Sequence, residues 1–240
     1  MLNTRIISAL VMIAILVVIA LIDKFLINFI VFAVLLYLSF GEAKKLFALE
    51  NISIIPLAIA FILGSLSHKA LFFGVLALLS VLGYLAYKKA SLKPALIYIY
   101  PSLPILALWQ VYLDQGMFAL FWLIVIVASC DSGAYFIGKF MGKTSFSPTS
   151  PNKTLEGVIG GLIGASVVGT FFGIFVYGFW FSLLCAFFVA IFAVIGDLLE
   201  SYFKREAGVK DSGDLIPGHG GILDRIDAVI IAAFVMVALL

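Results

Sequence analysis

Residues 180–205 read WFSLLCAFFVAIFAVIGDLLESYFKR. Trp180 to Gly196 carries no charge and is almost wholly apolar, and then Asp197, Glu200, Lys204 and Arg205 follow in quick succession. An apolar run on this scale approaches the roughly 20 residues that cross a bilayer as a helix. The ionised end marks where such a helix meets water. Charge inside hydrocarbon costs roughly 2.5–3.5 kcal/mol per residue even on the lenient insertion scale, so carboxylates tolerated at a span's edge point to chemistry rather than packing. Asp197, Glu200, Ser201 and Lys204 follow i, i+3, i+4, i+7, which places them on one helical face.

The rest of the chain repeats this apolar pattern. Its 240 residues are 64% hydrophobic and 12% charged, and mean hydropathy is +1.24. A soluble domain is nearer half apolar. Apolar runs predict about nine helices, at 6–22, 25–41, 52–67, 70–87, 95–113, 117–138, 156–178, 180–200 and 222–240. The expected fold class is therefore all-α, a polytopic membrane protein. Residues 1–113 hold the N-terminal transmembrane helices, about five of them, and 114–240 form the catalytic transmembrane region. Met1–Ile22 has Arg5 before its apolar run but no small-x-small cleavage site, so it reads as an uncleaved first helix. Pro101 and Pro104 are expected to kink or break the fifth span. Gly160-x-x-x-Gly164 and Gly169-x-x-x-Gly173 permit close helix approach.

Charge orients the bundle. If the chain crosses at every span, the N-terminal side receives Arg5, Lys44, Lys45, Lys88, Lys89, Lys93, Lys139, Lys143, Lys153, Lys204, Arg205, Lys210 and Arg225. The opposite side receives only Lys24 and Lys69. That bias places the N-terminus in the cytoplasm and the C-terminus outside. Net charge is only +2, which gives no reason to expect a nucleic-acid partner. Cys130 and Cys185 lie in apolar runs and imply no disulfide framework. Asn51-Ile-Ser53 and Asn152-Lys-Thr154 fall on the cytoplasmic side and read as chance sequons.

Asp224 and Asp227 open the last span at i, i+3, after a loop rich in glycine and charge. Two helix ends thus bring four carboxylates, with Lys204, Arg205 and Arg225, to the cytoplasmic side. Oxygen ligands of this kind suit Mg²⁺ or a similar hard cation, and paired Asp side chains repel without one. Salt bridges between helix ends, with no metal, are the plain alternative. His219 stands alone in this cluster and His68 lies in a loop on the far side, which argues against zinc. Pro217-Gly218-His219-Gly220-Gly221 offers backbone N–H groups beside a helix start, where a phosphate can approach, or a plain turn. Lys204 lies at the water-facing end of its span, so its removal is expected to weaken substrate use more than stability. Asp131 falls inside the sixth span, about 10 Å below the cytoplasmic end at 1.5 Å per residue, where a buried carboxylate needs a partner or water. Gly142-Lys143-Thr144 looks like the end of a P-loop, but the glycine needed upstream is Ile137.

The pattern Ser201-x-Phe203-Lys204-Arg205-x4-Lys210-Asp211-x-Gly213-x2-Ile216-Pro217-x-His219-Gly220-Gly221-Ile222-x-Asp224-Arg225-Ile226-Asp227 resembles the signature of the phosphatidate cytidylyltransferase (CDP-diacylglycerol synthase) family. Asp131-Ser-x-Ala134-Tyr135 and Ser150-Pro151-x-Lys153-Thr154-x-Glu156-Gly157 are also similar to that family, so the resemblance covers roughly residues 130–227. It implies transfer of CMP from CTP to phosphatidic acid, giving CDP-diacylglycerol and pyrophosphate. It also implies Mg²⁺ and a site at the cytoplasmic face of a bacterial inner membrane. A second cation and a homodimeric assembly are left open, and the implied partners are CTP, phosphatidic acid and the bilayer.

The implied metal ligands are Asp197, Asp224 and Asp227, with Asp131 and Glu200 in second rank. Lys204, Arg205 and Arg225 become phosphate clamps. Lys153, Thr154 and the Gly218–Gly221 turn with His219 become nucleotide contacts, joined by Ser201 and Lys210. Two rivals stay in view. A CTP-dependent kinase of a long-chain alcohol would release CDP instead of pyrophosphate. An ion transporter would need carboxylates on a route to both sides, whereas here they gather on one.

Overall fold

Backbone N–H and C=O groups find no partner in hydrocarbon, so a chain this apolar closes its hydrogen bonds internally, and helices do so locally. A computed structural model of the chain describes residues 2–49, 51–216, 218 and 220–240, with first-helix side chains from residue 10 onward. The fold is all-helical. Its elements are α1 (Leu2–Ile22), α2 (Phe25–Leu46), α3 (Ile55–Ser67), α4 (Ala70–Tyr87), α5 (Ala95–Ile97), a π-turn over Tyr98–Ser102, α6 (Leu103–Met141), α7 (Leu155–Tyr177), α8 (Phe179–Glu206) and α9 (Leu223–Leu239). Among the described residues there is no strand, only the isolated bridges Ser145–Thr154 and Ile216–Gly220.

Five segments of the described residues are long and apolar enough to cross a membrane: Phe25–Leu46, Ala70–Tyr87, Ala95–Met141, Leu155–Tyr177 and Phe179–Glu206. Leu10–Ile22 and Ile55–Ser67 are shorter apolar helices. Side chains such as Phe175 (82% exposed) and Trp180 (74%) face outward, as they do when the surrounding solvent is lipid. The protein is an integral membrane protein.

The helices extend past the expected apolar limits where charge begins. α2 runs on through Glu42, Lys44 and Lys45, and α8 through Lys204 and Arg205. Glu, Lys and Arg are good helix formers, so charge ends an apolar run without ending the helix. The expected break near the paired prolines falls at Pro101, preceded by Tyr100 in extended geometry (φ −137°, ψ 124°). Pro104 does not break the chain, because it sits in the first turn of α6, where its missing N–H has no partner to lose. The interruption between the expected fifth and sixth spans is Gly116, with φ 74° and ψ −168° inside α6. Its positive φ is one that glycine adopts without strain.

The chain divides into two compact units. The first comprises residues 1–117 and 206–226, the second 118–205 and 227–240. The first packs around Trp109, which is fully buried and meets the rings of Phe25, Phe29, Phe32, Phe61 and Tyr112. Its indole N–H donates to Ser65 Oγ at 2.8 Å, so the one polar atom of the ring is satisfied in the core. The second packs around Trp122, whose indole N–H donates to the Gly169 carbonyl at 2.7 Å. Small residues set the spacing there. A Cβ on Gly161 would stand 2.6 Å from the Cys130 carbonyl, and one on Gly169 would stand 2.6 Å from Ala186 and 2.7 Å from Ile126. Of the expected pairs, Gly160, Gly169 and Gly173 of α7 make close approaches to α6 and α8 and Gly164 only an ordinary one, while Gly161, outside those pairs, is as tight.

Candidate active site

In the second unit the site is built on close backbone approach. A Cβ on Gly196 of α8 would fall 2.6 Å from the Asp227 carbonyl and 3.0 Å from Ala228 Cα. The two helices can touch only because glycine is there. The residues that follow Gly196, Asp197 and Glu200, are thereby brought beside Asp227 on α9. Glu200 and Asp227 stand close enough to act on each other electrostatically. Glu200 is fully enclosed and accepts from Lys204 Nζ at 2.7 Å across one helical turn. Lys153, in the loop before α7, forms an ion pair with Asp197 Oδ2. Asp131 of α6 and Asp227 both act electrostatically on Lys153. Burial pulls the Lys153 ammonium below the ordinary lysine range, and those carboxylates pull it back.

The loop that carries Lys153 is held from both ends. Phe146 N–H donates to the Lys153 carbonyl (2.8 Å), and Leu155 N–H to the Thr144 carbonyl (2.9 Å). Glu156 Oε2 accepts from the N–H groups of Lys143 (3.1 Å) and Thr144 (3.2 Å), and its Oε1 from Thr144 Oγ1 (2.9 Å). Thr154 caps α7 by accepting from Gly157 N–H at 3.1 Å. Asp131 is open rather than enclosed. Lys204 is mostly covered, with 15% of its side chain exposed, so the expected water-facing end is instead half of a buried pair.

In the first unit another carboxylate dominates, one that sequence reasoning passed over. Glu42, near the end of α2, is 4% exposed. Its Oε1 accepts from Ile222 N–H (2.8 Å) and its Oε2 from Leu223 N–H (2.9 Å) and Ser212 Oγ (3.0 Å). Asp224 Oδ2 accepts from the N–H groups of Ser212 and Gly221, each at 2.8 Å, and lies 3.0 Å from Ser212 Oγ. The N–H groups of Gly221 and Ile222, which lead into α9, and of Leu223, its first residue, are thus held by carboxylates, which also suit the positive end of the helix dipole. The only sequence signal for Glu42 was a lone acid at the end of an apolar run.

The expected site residues divide between the units. Asp131, Lys153, Thr154, Asp197, Glu200, Ser201, Lys204, Arg205 and Asp227 belong to the second; Lys210, Gly218, Gly220, Gly221, Asp224 and Arg225 belong to the first. Arg205, Lys210 and Arg225 are exposed. The Gly221 N–H is already engaged by Asp224. Pro217 and His219 lie outside the described residues. Among the described residues no three acidic, thiol or imidazole groups already converge as metal ligands; the carboxylates are held by lysines and backbone N–H groups instead.

A family model described as the cytidylyltransferase family matches residues 3–240. The chain belongs to the cytidylyltransferase family. Similar family members include a protein named phosphatidate cytidylyltransferase from Helicobacter pylori (strain ATCC 700392 / 26695), 41% identical over 207 residues, which are 84% of this chain and 78% of that protein. A second, from H. pylori strain J99, is 49% identical over 65% of this chain and 60% of its own length. A third, from Bacillus subtilis, is 47% identical over 48% of this chain and 45% of its own length. The cytidylyltransferase match takes in both units, and so covers the carboxylate–lysine cluster and the Glu42 turn alike.

Proposed function

We propose that this cytidylyltransferase-family protein is a phosphatidate cytidylyltransferase, transferring CMP from CTP to phosphatidic acid in phospholipid biosynthesis. The observation that carries the reading is the second unit's cluster: Asp131, Asp197, Glu200 and Asp227 gathered with Lys153 and Lys204 at the junction of loop and helix ends. A phosphate oxygen of the lipid attacks the α-phosphorus of CTP. A new P–O bond forms there, and the bond to the β-phosphate oxygen breaks, its electron pair leaving with pyrophosphate. A phosphate monoester is already ionised near neutral pH, so no strong general base is required and none is assigned to His219. What the reaction needs is positioning and charge stabilisation.

The chain's cations supply that. Lys153, Lys204 and Arg205 in the second unit, and Lys210 and Arg225 in the first, are the proposed phosphate contacts. Thr154, Ser201 and the Gly218–Gly221 turn with His219 contact the nucleotide. Lys153 and Lys204 each hold a carboxylate before substrate arrives, so an incoming phosphate would compete for an ammonium that is already oriented.

The donor set fits a hard divalent cation. Four carboxylates and two lysines stand together, and carboxylate oxygens are the ligands such a cation takes. Asp197 and Asp227 would hold Mg²⁺, with Asp131 and Glu200 behind them, and the signature adds Asp224, one turn ahead of Asp227 along α9. Held by these residues, such an ion would supply positive charge against the anionic reactants and the leaving pyrophosphate.

The proposed setting is the inner membrane of a bacterium. About nine crossings are proposed, with the N-terminus and the reacting groups on the cytoplasmic side, a reading supported by the lysine and arginine distribution. Purified protein in detergent, given CTP, Mg²⁺ and phosphatidic acid, is expected to release pyrophosphate and form the liponucleotide. Release of CDP in its place, or no product, rejects the assignment.

A further inference from the structure

Glu42 has no part in the chemistry described above, yet it is among the most heavily engaged carboxylates of the chain. We propose that Glu42 is a positioning residue, the anchor that fixes the Gly220–Asp224 turn and, through Ser212, orients the Asp224 carboxylate. Its catalytic consequence rests on the cytidylyltransferase reading; its geometry does not.

Three observations converge. First, a carboxylate 4% exposed must be satisfied by donors, and its donors come from one short segment and its neighbour: Ile222 N–H, Leu223 N–H and Ser212 Oγ. Second, Ser212 Oγ stands 3.0 Å from both Glu42 Oε2 and Asp224 Oδ2. One hydroxyl proton bridges two carboxylates, so displacing either one moves the other. Third, the anchor explains glycines in the signature. A Cβ on Gly213 would lie 2.7 Å from Glu42 Oε1, and one on Gly221 would lie 2.5 Å from Oε2 and press on Ser212 Oγ. The space a side chain would need at these two positions is occupied by Glu42. These glycines are therefore required by an acid far away in sequence.

Glu42→Gln keeps the volume but turns an NH2 group towards an N–H donor, so at least one anchoring bond is lost. In detergent with CTP, Mg²⁺ and phosphatidic acid, kcat per folded molecule is expected to fall at least about tenfold, with KM for CTP within about threefold of wild type. Combining it with Ser212→Ala should add little, because both act on one bridge. Hydrogen exchange of the wild-type and Glu42→Gln proteins without substrate provides a readout independent of turnover. The Ile222 and Leu223 amides are expected to exchange at least about tenfold faster in the variant. Unchanged kcat per folded molecule, or unchanged exchange at both amides, overturns the proposal. If Glu42→Gln does not fold, Gly213→Ala, which pushes a methyl against Oε1, is read by the same two measurements with the same expectations. If wild-type protein releases no pyrophosphate, the cytidylyltransferase reading falls, and the exchange comparison alone decides the anchor.

Discussion

Both units concentrate acidic side chains, and they neutralise them in different ways. In the second unit Asp197 and Glu200 face the ammonium groups of Lys153 and Lys204. In the first, Glu42 and Asp224 face backbone N–H groups and a serine hydroxyl. A lysine on a flexible stem can release its partner when a phosphate or a metal ion competes for it. A backbone N–H at a helix start cannot move without unwinding the helix. The first arrangement suits groups that must change partners during a reaction, the second groups that must hold still.

That contrast is broken most easily at Asp227. Asp227→Asn is expected to lower turnover by roughly a thousandfold or more, as loss of a group aimed at developing charge does, with folded yield near wild type. Lost folded protein with undiminished turnover per molecule would mean that the second unit's acids are structural after all. Lys204→Ala comes next. It leaves fully enclosed Glu200 without its counter-charge, so detergent melting should show a loss of about 3–5 kcal/mol besides any kinetic effect. Glu200→Gln in the Lys204→Met background should recover most of that stability, and failure to recover would separate the pair's role from simple charge burial.

Asp224 sharpens the first unit's side. Asp224→Ala removes acceptors from Ser212 and Gly221 and should cost about 1.5–3 kcal/mol, whereas Asp224→Asn keeps an acceptor oxygen and should melt near wild type while still losing turnover. Equal melting losses in both would deny the anchoring role. The smallest effect concerns Lys153. Its depressed pKa means that it loses its proton at lower pH than an ordinary lysine, so the alkaline limb of kcat/KM should begin early. Lys153→Arg, which stays charged, should move that limb to higher pH, and an unmoved limb would assign it to another group.

How much was legible in the chain depended on distance along it. Asp197, Glu200 and Lys204 could be placed on one face because helical spacing is local. The α7 glycines could be read as contacts because small residues in a span have few other uses. The break at Gly116 falls between the spans expected at 95–113 and 117–138, although the glycine itself was not singled out. Pro104 was overread, since a proline's cost depends on which turn of the helix it occupies. Glu42 was missed because its partners lie 170 to 181 positions away, and no local rule connects them. Pro217–Gly221 was read as backbone open to phosphate or a plain turn, when the space beside Gly221 is filled by that distant acid.

The long separation between Glu42 and Ser212 also bears on how the protein is made. A ribosome adding about 5–20 residues per second needs roughly 10–30 seconds to travel from one to the other. Throughout that interval α2 exists without the donors that will satisfy its acid. The nascent chain must keep that helix end wet until residues 212–223 emerge, so the start of α9 closes a gap left at the end of α2.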